Sequence, residues 1–235
     1  MNNAYKYISA AFLLFSPLSS SSAPKDATIF TYAADEEKYT GSRNVKAMAL
    51  YNLGSRLMYH GSDYAKAAGF LEEAVRLDDT FVEALDNLSV CYRRLGMYDK
   101  AIKCSKESIA VFPNGEVAHC NLALIYSLLD QNKDALYEYK KVKDINPANA
   151  EAFYGTAVIY FEQNELTRSL LNAAEAERLY RKTSNNLLGD AEELIGRIYL
   201  KMGNTESAKD WSSRALKHKP DLDKELKKLL DGRSM

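Results

Sequence analysis

Residues 82–113 read VEALDNLSVCYRRLGMYDKAIKCSKESIAVFP, and residues 116–147 read EVAHCNLALIYSLLDQNKDALYEYKKVKDINP. Laid over each other, the two stretches place the same residue types at the same offsets. Working outward, Ala47–Asp79, Ala150–Leu179 and Gly189–Pro220 join the series, so the block recurs roughly every 34 residues. A small residue stands at Gly54, Ser89, Ala123, Ala157 and Gly196. A large one follows three later, at Leu57, Tyr92, Tyr126, Tyr160 and Tyr199. Ala67, Ala101, Ala135, Ser169 and Ala208 form a further column, and Ala74, Ser108, Val142, Ala176 and Ala215 another. Proline closes three blocks, at Pro113, Pro147 and Pro220. Self-similarity at this period marks an array of stacked units, each burying its apolar face only against its neighbours.

Each block contains two amphipathic stretches with apolar residues at helical spacing. The pairs are Val45–Tyr59 with Tyr64–Leu77, Phe81–Leu95 with Tyr98–Val111, and Glu116–Leu129 with Lys133–Ile145. Asn149–Gln163 pairs with Leu166–Tyr180, and Asn186–Met202 with Thr205–His218. Gly61, Gly96 and Gly203 fall where helix C-caps are expected. The small columns let two helices of a hairpin approach closely, and the Tyr column fills space between stacked hairpins at low rotamer cost. This is an all-α fold.

The pattern resembles the tetratricopeptide repeat. In the second block its hallmark positions fall on Leu85, Leu88-Ser89, Tyr92, Ala101, Ser105, Ser108 and Pro113. In the third they fall on His119, Leu122-Ala123, Tyr126, Ala135, Tyr139, Val142 and Pro147. The resemblance implies a right-handed superhelical solenoid of about five hairpins, spanning 47–81, 82–115, 116–149, 150–188 and 189–220. The first hairpin carries an extra residue in its turn at 61–64. The fourth lacks the proline and continues into a longer join, Arg181–Leu188. Residues 221–235 are expected to form a polar capping helix and tail, with Leu222, Leu226, Leu229 and Leu230 covering the last hairpin.

In this family the first helices line a concave groove. Carried over position by position, the resemblance places Asn52, Asn87, Asn121, Cys120, Leu124, Leu128, Tyr154, Val158 and Phe161 on that face. Asn52, Asn87 and Asn121 share one position and resemble an asparagine ladder that reads a peptide main chain. A carboxamide both donates and accepts, which suits that role, although Asn can equally bond a neighbouring helix. The apolar members suggest a patch for a partner. The lysine and asparagine clamp with which chaperone-binding members grip a C-terminal carboxylate is not matched. Tyr51, Ser55, Val117 and Asn121 stand at its positions, and only Asn87 agrees.

The chain has 235 residues, is 46% hydrophobic and carries a net charge of −1, with both signs interspersed. A nucleic-acid surface needs a concentrated basic stripe, so that partner class is excluded. The Lys-rich stretch Arg214–Arg233 is diluted by Asp221, Asp223, Glu225 and Asp231 and is expected to be a solvated face. Cys91, Cys104 and Cys120 lack a CxxC spacing and are expected to act as small buried hydrophobes. One disulfide with a free thiol remains an alternative in an oxidising compartment.

Residues 1–23, MNNAYKYISAAFLLFSPLSSSSA, follow the order of a secretory signal peptide. Lys6 supplies the positive start, Ile8–Phe15 the apolar run, and the serines before Ala23 a cleavage region. An exported, periplasmic or secreted protein is expected. The alternative is an uncleaved signal-anchor with membrane association through residues 7–18, although the apolar run is short for a span. Residues 24–44 form an N-terminal extension with Ile29, Phe30, Tyr32 and Tyr39.

No phosphate-binding loop, HExxH or GxSxG motif occurs, and His60, His119 and His218 are dispersed. His119 falls on a core-facing column, where packing is expected. Glu72-Glu73 and Glu192-Glu193 are sequence neighbours that cannot share a helix face, and both pairs are expected to be solvated. No catalytic or metal constellation emerges, so neither an enzyme, a cofactor nor a small-molecule substrate is expected. Two readings follow. One is an adaptor that holds a protein or peptide ligand in its groove. The other is a structural subunit of a larger membrane-associated machine, assembling through its ends or its N-terminal extension.

Overall fold

The computed structural model describes residues 41–61, 63–183 and 185–232. The leader and residues 24–40 lie outside them. Among the described residues every regular element is helical. No described helix is long and apolar enough to cross a membrane. The chain divides into two compact units, whose boundary falls inside one helix, between Ile125 and Tyr126.

The N-terminal unit holds α1 (Val45–Arg56), α2 (Tyr64–Leu77), α3 (Val82–Arg94), α4 (Tyr98–Val111) and the part of α5 (Glu116–Leu128) up to Ile125. Helices α1 and α2 pack as one hairpin, α3 and α4 as the next, and α2 lies against α3. Close approach explains the small column. A Cβ on Gly54 would lie 2.9 Å from Leu71 Cγ and 3.1 Å from the Ala67 carbonyl oxygen. Ser89 reaches across the second hairpin instead, its Oγ donating to the Ala101 carbonyl at 3.0 Å and lying 2.7 Å from Ser105 Oγ. The extra residue of the first turn is absorbed by a π turn over Leu57–Gly61, the geometry by which helices take up single insertions. Gly61 is therefore part of a wide turn and not a left-handed cap. Residues just before α1 are tied to the end of α2: Ser42 Oγ donates to Asp78 Oδ2 at 2.5 Å, and Asn44 Nδ2 to the Leu77 carbonyl at 3.2 Å. Tyr92 is buried and its hydroxyl donates to Glu72 of α2, so this member of the Tyr column bridges two hairpins.

The C-terminal unit holds the end of α5, then α6 (Asn132–Ile145), α7 (Ala150–Glu162), α8 (Leu166–Thr183), α9 (Leu188–Lys201), α10 (Thr205–His218) and α11 (Lys224–Leu230). Helices α7 and α8, and α9 and α10, form hairpins. Helix α6 packs on α7, α8 on α9, and α11 on α10. Ser169 repeats the serine crossing, its Oγ donating to the Ala157 carbonyl at 2.7 Å. Helix α8 runs three residues beyond Tyr180, so much of the expected join Arg181–Leu188 is helix and Arg181 projects from its last turn. Leu222, Leu226 and Leu229 are buried and Leu230 is half-buried, which is how α11 caps the hairpin beside it.

First helices α3, α5, α7 and α9 end alike. Gly96 and Gly203 have φ of 73° and 80°, and Asp130 and Asn164 take the same left-handed conformation at 58° and 61°. The following N–H then reaches back five residues: Met97 to the Tyr92 carbonyl at 2.8 Å, Gln131 to Tyr126 at 2.9 Å, Glu165 to Tyr160 at 2.8 Å, and Asn204 to Tyr199 at 2.9 Å. This is the Schellman closure, and the Tyr column supplies its acceptor each time. Aspartate and asparagine tolerate the conformation because their short polar side chains bond locally.

Cys91, Cys104 and Cys120 are not joined in a disulfide. Cys91 and Cys104 are buried, and burial pushes both thiols up to about 12. The thiolate is the reactive form. At near-neutral pH both are therefore expected to resist a maleimide in the folded protein and to react in urea, while half-buried Cys120 reacts first. Fast labelling of all three in the folded chain would contradict this placement.

Candidate functional site

In the N-terminal unit two of the three asparagines of the column are engaged with their own scaffold. Asn52 is exposed. Asn87 Nδ2 donates to Ser55 Oγ on α1 at 2.9 Å, and Asn121 Nδ2 to the Asp86 carbonyl on α3 at 3.4 Å. Each of these two thus spends a donor on the preceding first helix. Asn121 is only 8% exposed and Leu124 3%. Cys120 is half-buried. The largest apolar exposure on α1 and the π turn after it is elsewhere, at Val45, Met48 and Tyr59. His119 is buried, with Nε2 3.0 Å from the Pro113 carbonyl, a packing role.

In the C-terminal unit Leu128 is half-buried, and Tyr154 and Val158 are 6% and 4% exposed. Tyr154 packs against Tyr180 with ring centroids 6.4 Å apart. Its hydroxyl pKa is raised, by burial first and then by the nearby carboxylates Asp190 and Glu193. Phe161 differs. It is half-buried, and α9 sets two cations on its ring, Arg197 at 4.6 Å and Lys201 at 4.9 Å from the centroid. Glu162 beside it has its pKa raised by burial and by Asp130, with Arg197 opposing. An aromatic ring under two cations is a surface that takes an apolar group with a carboxylate next to it.

The acidic start of α9 overturns one expectation. Glu192 and Glu193 are not solvated: they are 0% and 8% exposed, and Asp190 is 9%. Glu192 Oε1 accepts from Arg181 Nη2 at 2.8 Å, and its Oε2 lies 2.8 Å from His218 Nδ1. Lys219 Nζ reaches Asp190 Oδ1 at 2.6 Å and Glu193 Oε2 at 2.7 Å. Burial alone would lower the Lys219 ammonium, but the hydrogen bonds to Asp190 and Glu193 outweigh it and the net direction is up. Glu193 also accepts from the Asp223 N–H at 3.0 Å, which fixes the start of α11. His218 and Lys219 are therefore bound into the fold, not part of a freely solvated basic face.

A family model described as "Tetratricopeptide repeat" matches residues 193–222. One described as "Bacterial transcriptional activator domain" matches residues 26–146, just over half of the chain. The chain belongs to that domain family and is built of tetratricopeptide repeats. Its fold is shared with MamA residues 41 to end from Desulfovibrio magneticus RS-1, at 20% identity, a TM-score of 0.65, and coverage of 76% of this chain and 98% of that one. It is shared with YrrB, described as a TPR protein with an unusual peptide-binding site, at 20% identity, a TM-score of 0.58, and coverage of 79% and 91%. Among curated proteins, the UDP-N-acetylglucosamine–peptide N-acetylglucosaminyltransferase of Giardia intestinalis (strain ATCC 50803 / WB clone C6) is 28% identical over 187 residues, 76% of this chain and 12% of that enzyme. The chain spans about an eighth of the length of the curated relatives it matches.

The tetratricopeptide register explains the buried acid. Glu192 stands at the position held by Leu85 and His119 in the second and third repeats, and all three side chains are buried. The column therefore carried the signal that Glu192 faces inward. Charge type argued the opposite, since Glu is rarely buried unless paired. The pairing comes from Arg181 and His218, residues of two other tetratricopeptide helices.

Proposed function

We propose that this chain is a non-catalytic adaptor that holds a peptide or helix of a partner protein against the faces of its first helices. The observation that carries the reading is Phe161, left half-open beneath Arg197 and Lys201 while most apolar residues of its face are covered. The peptide it suits has an apolar side chain followed by an acidic one. The fold supports the class of function, since repeat arrays offer extended binding surfaces. The absence of a nucleophile, base or metal-ligand pattern in the sequence supports the non-catalytic part. The signal-peptide order of residues 1–23 supports a place in the cell envelope or secretory route.

The test is capture from an envelope fraction by the mature chain, with cross-linked partners identified. Phe161→Asp and Lys201→Glu are each expected to reduce capture about tenfold, as loss of an interface anchor does. Lys201 is exposed, so its variant keeps the test valid if Phe161→Asp lowers stability. Capture unchanged in both variants would sink the reading. Leu124→Glu is not a binding test, because a charge placed there enters the core. A mature chain that retains Met1 would overturn the cleaved-export part.

A further inference from the structure

The C-terminal unit contains an open pocket of about 470 Å³ between α8, α9 and α10 that the adaptor reading does not use. Arg181, Trp211, Arg214, Lys217 and His218 line it, with Glu177 and Glu192 as its carboxylates. Both carboxylates are committed. Glu177 Oε1 accepts from Arg181 Nε at 2.8 Å, and Glu192 holds Arg181 and His218 as described above. Arg181 is thereby anchored from two sides, and the side chain of the acid beneath it is fully buried. Arg214 and Lys217 are different. Arg214 lies over the Trp211 ring at 4.6 Å and meets only the exposed Asp210, at 2.8 Å, a surface pair of small worth. Lys217 is exposed in α10's last turn.

After the committed pairs are set aside, two cations from one helix face remain beside a fixed guanidinium and an imidazole. Arg214, Lys217 and Arg181 line one pocket and together offer more N–H donors than a planar carboxylate can take up, which suits a tetrahedral group with three acceptor oxygens. We propose that this pocket binds a phosphate monoester group, held by Arg214 and Lys217 against the anchored Arg181. The site is independent of the Phe161 face, so either proposal can fail without the other.

Trp211 is the only tryptophan of the chain, so its fluorescence reports this pocket alone. The experiment titrates the full chain with O-phosphoserine, with serine and with sodium chloride at matched ionic strength. Saturable change is expected with O-phosphoserine only. Lys217→Ala with Arg214→Ala should weaken it about tenfold, and Lys217→Arg should largely restore it over Lys217→Ala, because charge-assisted bonds to phosphate carry the affinity. Melting curves of the single Lys217 variants should match the parent, since that side chain is exposed. A response equal to that of chloride, or one unaltered by the alanine variants, would overturn the proposal.

Discussion

An Arg181→Ala/His218→Ala protein is expected to lose about 3 kcal/mol of stability in its C-terminal unit, whereas Glu192→Met is expected to be nearly neutral. The two substitutions act on one interaction from opposite sides. Removing both side chains leaves the fully buried Glu192 carboxylate without its compensating partners. Stripping a buried ion of partners costs about 3–5 kcal/mol. The lower figure applies because Arg181 and His218 are 51% and 40% exposed, so water can enter where they stood. Glu192→Met removes the buried charge together with its need for partners. Arg181 then keeps Glu177, and a similar volume fills the site. Replacement of buried ion pairs by matched apolar side chains is often neutral or stabilising. Urea unfolding with hydrogen exchange on α8, α9 and α10 measures both, since repeat arrays need not unfold in one step. Equal losses in the two proteins would mean that Glu192 acts through shape and not through charge.

Gly155→Ala is expected to cost about 2–3 kcal/mol, a large effect for one methyl group. A Cβ at this position would lie 2.3 Å from Tyr139 Cζ and 2.4 Å from its hydroxyl oxygen. Tyr139 is 1% exposed, so its ring is enclosed and cannot swing into solvent. The gain of about 1 kcal/mol that alanine normally brings to a helix interior is too small to offset that overlap. The glycine is there for backbone approach between α6 and α7, not for a special φ. In a Tyr139→Leu background the same substitution should be markedly less costly, because the overlapping atoms are gone. Purely additive losses in the double mutant would show that the ring is not the obstacle.

The two effects differ in how they could be read from the chain. The small columns announced close helix contacts at Gly54, Ser89 and Ala157, and the structure places a neighbour's atoms against each. Gly155 lies outside those columns, and nothing in its own helix shows that Tyr139 of the previous helix rests on it. Gly96 and Gly203 were legible as caps, whereas Asp130 and Asn164 take the same backbone conformation without a glycine to signal it. Gly61 carried the cap signal and instead ends a π turn, since the extra residue of that hairpin had to be accommodated before α2 could start.

The candidate site was legible only as a choice of face. The family resemblance assigns Leu124, Tyr154, Val158 and Phe161 to one side of their helices, but says nothing about how completely neighbouring elements cover that side. Coverage depends on interhelical distance, which leaves Tyr154 and Val158 nearly closed and Phe161 half-open. The acidic turn of α9 is the sharper case. Its column pointed inward, its charge pointed outward, and the outcome depended on partners more than ten residues away in either direction along the chain.

By itself the sequence determined the all-α hairpin architecture, because a pattern repeated in phase leaves each helix one face to bury and one place to turn. Only the tertiary structure decided which residues of those faces remain open and which charges are buried in pairs. Both depend on the distance and partner across a helix interface, and the periodicity of one helix carries no information about the far side of the contact.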